Sequence, residues 1–311
     1  MKSFIREKKI YCNDYLEIDI IPRADVQTKG KRGKREYISK PKQKNLNDKN
    51  AKRYFTQSVN TNFTKNDLVV HSTYAPEFLP ETLEEAEKEV RNYIRRIDYK
   101  RKKEGLEPVK YMLITEFGEK KDGTKRVHHH IIINGGLDRD IIEKLWSKKQ
   151  KGRKEGEKLG WINTHRLQPN EYGLQNLCNY LMKDPKGKKR WSSSRNLKKP
   201  FQVCNDSRYS KRKVMDIVRN DLDNRMFWEK QYKGYIFTEC KATYNDITGV
   251  SLYIKMRRLK WGDYMYLRVC KCCKKEFETN LYSKTYCSYV CKNKFKNEKR
   301  KKEKKEGNEN E

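Results

Sequence analysis

The 311-residue sequence has no long apolar run, and no stretch approaches the roughly 18 residues of a membrane-spanning helix. Its first residues, MKSFIREKKIYCNDYLEIDI, lack the apolar core of a signal peptide. These absences argue against a membrane-spanning or secreted chain and lead to the expectation of a cytoplasmic one. The phosphate-binding pattern G-x-x-x-x-G-K-[ST] is missing too. Gly118 and Gly123 have the spacing, but Thr-Lys follows them, so no NTP-driven helicase is expected within the chain. No internal repeat is found. Acidic residues are in deficit, 42 against 74 Lys and Arg, which leaves a formal charge of +32. Such an excess favours a polyanionic partner, nucleic acid first and an anionic membrane surface second. Histidine is scarce, and three of the five (His71, His128, His129, His130, His165) stand in a row.

The nine cysteines are unevenly placed. Cys12, Cys178, Cys204 and Cys240 are scattered, whereas Cys270, Cys272, Cys273, Cys287 and Cys291 crowd into CKCCKKEFETNLYSKTYCSYVC. Crowding of this kind suits a metal in a reducing compartment better than a disulfide framework. Cys270-x2-Cys273 and Cys287-x3-Cys291 offer four thiolates to a tetrahedral Zn2+, with Cys272 a bystander.

Periodicity orders the middle of the chain. DLVVHSTY (67–74) is a strand candidate. Thr82 and Glu85 open a helix by the capping-box spacing, and Leu83, Ala86, Val90, Tyr93, Ile94 and Ile97 form its apolar stripe. KYMLITEFG (110–118) and VHHHIIIN (127–134) make a hairpin around Asp122-Gly123. Asp138 caps a further helix, WINTHRL (161–167) is a short strand, and NEYGLQNLCNYLMKD (170–184) is a helix that ends before Pro185. The expected class is α+β, an antiparallel sheet with packed helices. Residues 216–231 read as helical, and KGYIFTECKATY and VSLYIKMRRLKW as two more strands. Residues 28–53 are basic and nearly devoid of large apolar side chains, and so read as an arm or a long loop.

A strand alternates its faces, so His128 and His130 share one side while His129 takes the other. Two imidazoles side by side suit a metal, and a hard oxygen ligand would complete a site for Mn2+ or Mg2+. Glu116 is the first candidate. A two-residue Asp122-Gly123 turn puts it opposite His129, on the wrong face; a three-residue loop puts it opposite His128, and this register is preferred. His165 is the competing third ligand. On the helix at 170–184, Leu174, Leu177, Cys178 and Leu181 form the apolar stripe, whereas Asn176, Tyr180 and Lys183 lie on a polar flank. A tyrosine with a lysine one turn on can attack a phosphodiester polarised by a metal, keeping the 5′ phosphate and releasing a 3′-OH.

HHHIII (128–133) with YLMK (180–183) resembles the HUH endonucleases, in particular the rolling-circle replication initiators of phages, plasmids and small DNA replicons. The resemblance covers roughly residues 60–200, with DLVVHSTY similar to a first, structural motif and RWSSSRNLKKP (190–200) to the segment that follows the tyrosine. It implies Tyr180 as nucleophile and Lys183 as its helper. It also implies Glu116, His128 and His130 around Mn2+ or Mg2+, a structural Zn2+ on Cys270, Cys273, Cys287 and Cys291, and DNA contacts at Arg126, Arg195 and Lys198. His129 stands where the family usually has a bulky hydrophobic residue. Tyr172 is read as structural, since no Tyr-x3-Tyr spacing is present. The implied partners are single-stranded origin DNA and a helicase and polymerase from the host. The expected organisation is a basic N-terminal arm over 1–60, the HUH domain over 61–215, a helical and strand extension over 216–265, a zinc module over 266–295 and a disordered tail over 296–311. A relaxase or single-tyrosine transposase shares this chemistry, and a non-catalytic zinc-finger DNA-binding protein is the reading from a different class.

Overall fold

A computed structural model describes residues 3–24, 41–119, 125–148, 156–183, 190–259, 266–279 and 285–308, in two units that divide between Arg257 and Arg258. In chain order the elements are β1 (Ser3–Cys12), β2 (Tyr15–Ala24), α1 (Pro41–Asn62), β3 (Leu68–Ser72), α2 (Leu83–Lys103), β4 (Tyr111–Glu119), β5 (Lys125–Ile133) and α3 (Arg139–Lys144). There follow β6 (Ser147–Lys148), β7 (Glu157–Lys158), β8 (Ile162–Arg166), α4 (Gln175–Leu181), β9 (Ser192–Ser193), β10 (Phe201–Asn205), α5 (Lys211–Asn220), α6 (Arg225–Gln231), β11 (Tyr235–Asn245) and β12 (Gly249–Arg258). The second unit holds β13 (Tyr266–Val269), β14 (Glu276–Thr279) and α7 (Tyr289–Asn308). The class is α+β, as the sequence suggests.

The central sheet has the order β8-β3-β5-β4-β9, with antiparallel neighbours throughout. One face packs under α2 and α3. Leu68, Val70, Leu113, Ile131 and Ile133 meet Val90, Tyr93, Ile94 and Ile97 of α2, with Ile142 and Trp146 beside them. The capping residues start α2 where expected: Thr82 Oγ1 accepts the Glu85 N–H at 3.2 Å, and Glu85 reaches back to the N–H of Glu81 rather than of Thr82. The opposite face packs under α1 and α4, where Val69, Met112, Ile114 and Ile132 meet Phe55, Val59, Cys178 and Leu181.

A second five-stranded sheet, β10-β1-β2-β12-β11, is assembled from both ends of this unit. Leu16, Ile18, Ile20, Leu252 and Ile254 form its core with Val214 and Ile217 of α5 and Trp228 of α6. Residues 3–24, expected within a basic arm over 1–60, are thus a strand pair, with β2 at the centre of a sheet. Residues 41–53 differ from the arm reading as well, since they are the first half of α1. Its polar residues look unfit for a core, but they find built partners. Arg53 bonds Asp19 at 2.6 and 3.0 Å and Glu17 at 2.7 Å, and Gln57 donates to Glu17 at 2.7 Å. Charge that is paired across an interface can be buried, so a basic stretch need not be a solvated one. The remainder of the arm, 25–40, lies outside the described residues.

Two further expectations shift. The helix read over 216–231 is two helices, α5 and α6, because Asn224 caps the second by accepting the Phe227 N–H at 3.2 Å. Residues 296–308, read as part of a disordered tail, continue the backbone of α7, whose Lys and Glu are good helix formers.

Candidate functional site

The pleat of β5 sends Arg126, His128, His130 and Ile132 to the α1 and α4 face of the central sheet, and Val127, His129, Ile131 and Ile133 to the α2 face. On β4, Glu116 stands opposite His128 and Ile114 opposite His130. This is the register that a three-residue loop at Gly123 requires; the loop itself, 120–124, lies outside the described residues. On the other side of β5, β3 sets His71 opposite His130. The face is therefore graded. Val69, Met112, Ile114 and Ile132 are covered by α1 and α4, and beyond them the same strands end in Glu116, His128, His130 and His71.

Contacts within this polar patch are close. His130 Nδ1 lies 2.6 Å from His71 Nδ1, and its Nε2 lies 3.7 Å from Glu116 Oε1. Burial, with smaller contributions from His71, His128 and Arg126, pulls the His130 pKa down to about 4. His71 is lowered by burial and by its nearness to His165. Neutral imidazoles at pH 7 are the metal-binding form. Arg126 reaches the same patch and donates to His128 Nε2.

His129 is excluded from the patch. It is fully buried on the α2 side, with its Nε2 2.9 Å from the Tyr74 hydroxyl and its Nδ1 3.0 Å from Thr115 Oγ1. Both ring nitrogens are occupied, and burial drives its pKa down to about 3. His165 is on β8, opposite Val69, two strands from β5, so about 10 Å separates those strands. Glu116, one strand away, is the nearer partner for His128 and His130.

Tyr180 comes to the patch from α4. Cys178 and Leu181 anchor that helix in the core, while Tyr180 stays 61% exposed with its ring centroid 6.0 Å from that of His130. Lys183 follows the helix, exposed, its N–H donating to the Tyr180 carbonyl at 3.2 Å. The helix is shorter than the 170–184 expected. Asn170 and Gly173 close a tight turn in which Gly173 has φ +71°, and a Cβ there would sit 2.6 Å from Asn60 Oδ1. Asn60 instead accepts the Leu174 N–H at 2.9 Å, so the helix starts after it. Tyr172 falls in that turn under Lys255, whose Nζ is 5.6 Å from its ring centroid. Position 184, where the helix was expected to close, lies outside the described residues.

The remaining expected DNA contacts are not gathered here. Arg195 lines a separate cleft of about 530 Å³ with Arg91, Tyr111 and Trp191, and Lys198 is tied through its backbone to Asn62. The residue that sequence reading missed is His71. It lies inside DLVVHSTY, and alternation alone does not say which histidine it meets across the sheet.

The donor set of Glu116, His128 and His130, one carboxylate and two imidazoles on one face, fits a divalent cation. Their ligand atoms are less closely gathered than the sulfurs of the second unit. Among the described residues, Cys270, Cys273, Cys287 and Cys291 are the one group of three or more possible ligands that lie within 4.8 Å of one another, a cluster able to hold a metal such as zinc. Burial opposes ionisation of Cys270, but backbone N–H groups of Cys273, Cys287 and Cys272 directed at its sulfur hold the thiol at about 6. A thiolate so stabilised is the ligand form. The turn that allows this has Lys274 at φ +60°, its N–H donating to the Cys270 carbonyl at 2.9 Å.

The model of a replication-associated protein family, the ORF2 type, matches residues 67–185, the stretch from β3 to just past α4. No curated protein and no solved structure matches the chain. The family match supports a role in replication initiation, and with it binding to DNA. Among the described residues no helix is long and apolar enough to cross a membrane.

Proposed function

We propose that this chain is a rolling-circle replication initiator of the HUH type, which cuts and rejoins single-stranded DNA through Tyr180. The observation that carries the reading is the placement of an exposed tyrosine ring 6.0 Å from His130, beside Glu116 and within the stretch that resembles replication-associated proteins. A core tyrosine would be covered, and a surface tyrosine has no reason to face a histidine and carboxylate patch.

The Tyr180 oxygen attacks the phosphorus, the bond from phosphorus to the 3′ oxygen breaks, and that oxygen leaves as a 3′-OH on taking up a proton. The 5′ phosphate stays on Tyr180 as a phosphodiester, so a later 3′-OH can reverse the step without ATP. Glu116, His128 and His130 would hold Mn2+ or Mg2+, which when bound withdraws charge from the phosphate. Lys183 supplies a cation to the phosphate or to the phenolate as it forms, and Arg126 a phosphate contact at the mouth of the patch. Phosphate contacts of this kind give affinity, and base contacts choose the site. The four-cysteine cluster would carry structural zinc. Strand opening and synthesis would fall to a host helicase and polymerase in the cytoplasm.

The test is incubation of the full chain with single-stranded DNA from its own replicon, with Mn2+ or with a chelator, and mass spectrometry of any covalent species. The expected result is a DNA adduct on Tyr180, absent in Tyr180→Phe and with chelator. Tight DNA binding with no adduct on any fragment of the replicon would leave only a zinc-containing DNA-binding protein.

A further inference from the structure

His71 belongs to neither the expected ligand set nor the apolar core, yet it is half-buried beside His130. Strand pairing puts the two residues directly opposite each other on β3 and β5. Their rings meet edge to face at a centroid distance of 4.8 Å, and the two Nδ1 atoms are 2.6 Å apart. At that distance one ring donates and the other accepts. A neutral imidazole carries one N–H and one lone pair, so this single bond sets the tautomer of both rings.

The two possible directions have different consequences at Glu116. With His71 as donor, His130 carries its proton on Nε2, the atom 3.7 Å from Glu116 Oε1, and has no lone pair to offer there. With His130 as donor, Nδ1–H points to His71, and the Nε2 lone pair points to the carboxylate side. A cation shared with Glu116 needs the second arrangement. Imidazole ligands elsewhere are oriented in the same way, by a hydrogen bond from the ring nitrogen that does not touch the metal.

We infer that His71 is the positioning residue of the cation site: its Nδ1 accepts the Nδ1–H of His130 and so presents the Nε2 of His130 toward Glu116 as a ligand. His71 itself does not ligate, since its Nδ1 is engaged with His130. The inference rests on the proposed role of His130 as a ligand, and the experiment separates the two.

Mn2+ binding to the full chain would be followed by electron paramagnetic resonance and calorimetry, for the native protein and for His130→Ala, His71→Phe and His71→Asn, each checked for an unchanged melting transition. Asparagine places a side-chain oxygen close to where Nδ1 lies and can accept the same bond; phenylalanine keeps the ring volume and cannot. The expected result is Mn2+ affinity weaker by about tenfold to a hundredfold in His71→Phe, and within about threefold of native in His71→Asn. Native affinity in His71→Phe alongside weakened affinity in His130→Ala would overturn the role of His71 and leave the cation site standing. An Asn variant as weak as the Phe variant would overturn it also, because the ring would then be filling space. Unchanged affinity in His130→Ala would remove the cation site itself.

Discussion

Three consecutive histidines have three different surroundings, and the pleat of one strand is the cause. His128 is half-buried and bonded by Arg126, His130 is paired with His71, and His129 is sealed between Tyr74 and Thr115. The sealed one leads to a pH prediction. The ordinary histidine pKa of 6.5 holds in the unfolded chain, while His129 in the folded protein is lowered to about 3. Between these values the unfolded state binds a proton that the folded state refuses. Stability from this group is therefore whole above the unfolded value and declines as pH falls toward the folded one. By pH 5 the loss from His129 amounts to about 2 kcal/mol. His130 and His71, also lowered, add to it with the same sign. Urea titrations in chelator at pH 7 and pH 5 should show this decline, and His129→Gln should flatten it. An equal decline in native and variant proteins would assign the loss elsewhere.

The helix that bears Tyr180 is short, so its position depends on what grips its first turn. Lys255 on β12 donates to Gln175 Oε1 at 2.6 Å and to Glu239 Oε1 at 2.7 Å, while the Tyr15 hydroxyl on β2 donates to the Asn170 carbonyl at 3.2 Å. The second sheet thus serves as a platform for α4. On the nicking reading, Lys255→Met should lower the rate of adduct formation by about tenfold to a hundredfold, the scale on which small misplacements act. Mn2+ affinity should stay at the native value, because Glu116, His128 and His130 are on the other sheet. A Lys255→Met protein with native rates would show that core packing of Cys178 and Leu181 suffices to place the tyrosine.

At the scale of the molecule, the hairpin of β1 and β2 is the keystone of the second sheet. It pairs with β10 through Glu7 and Asn205 and with β12 through Ile20 and Leu252. Deleting residues 1–24 exposes the core that Leu16, Ile18 and Ile20 share with α5 and α6, and strips Arg53 of both its carboxylates. Cooperative melting should be lost in this truncation, as followed by calorimetry or circular dichroism. A true solubilising arm would come off with the transition intact.

What could be read from the chain alone was local. The α2 helix follows from a capping pair and a stripe at helical spacing; β3, β4, β5 and β8 follow from β-branched runs, and the face of His128 and His130 from alternation. The preference for Glu116 needed one further step, the length of a turn, and the observed register agrees with it. The four cysteines were legible because both pairs of ligands are close in sequence. Contacts distant in sequence were not legible in this way. Nothing in SFIREKKIYC announces Phe201–Asn205 as its neighbour, and nothing in the polar first half of α1 announces Glu17 and Asp19 on β2. His71 lacked a partner on paper for the same reason. Periodicity and capping are written in neighbouring residues, whereas the pairing of strands and the satisfaction of buried charge are decided by which distant segments the folded chain brings together.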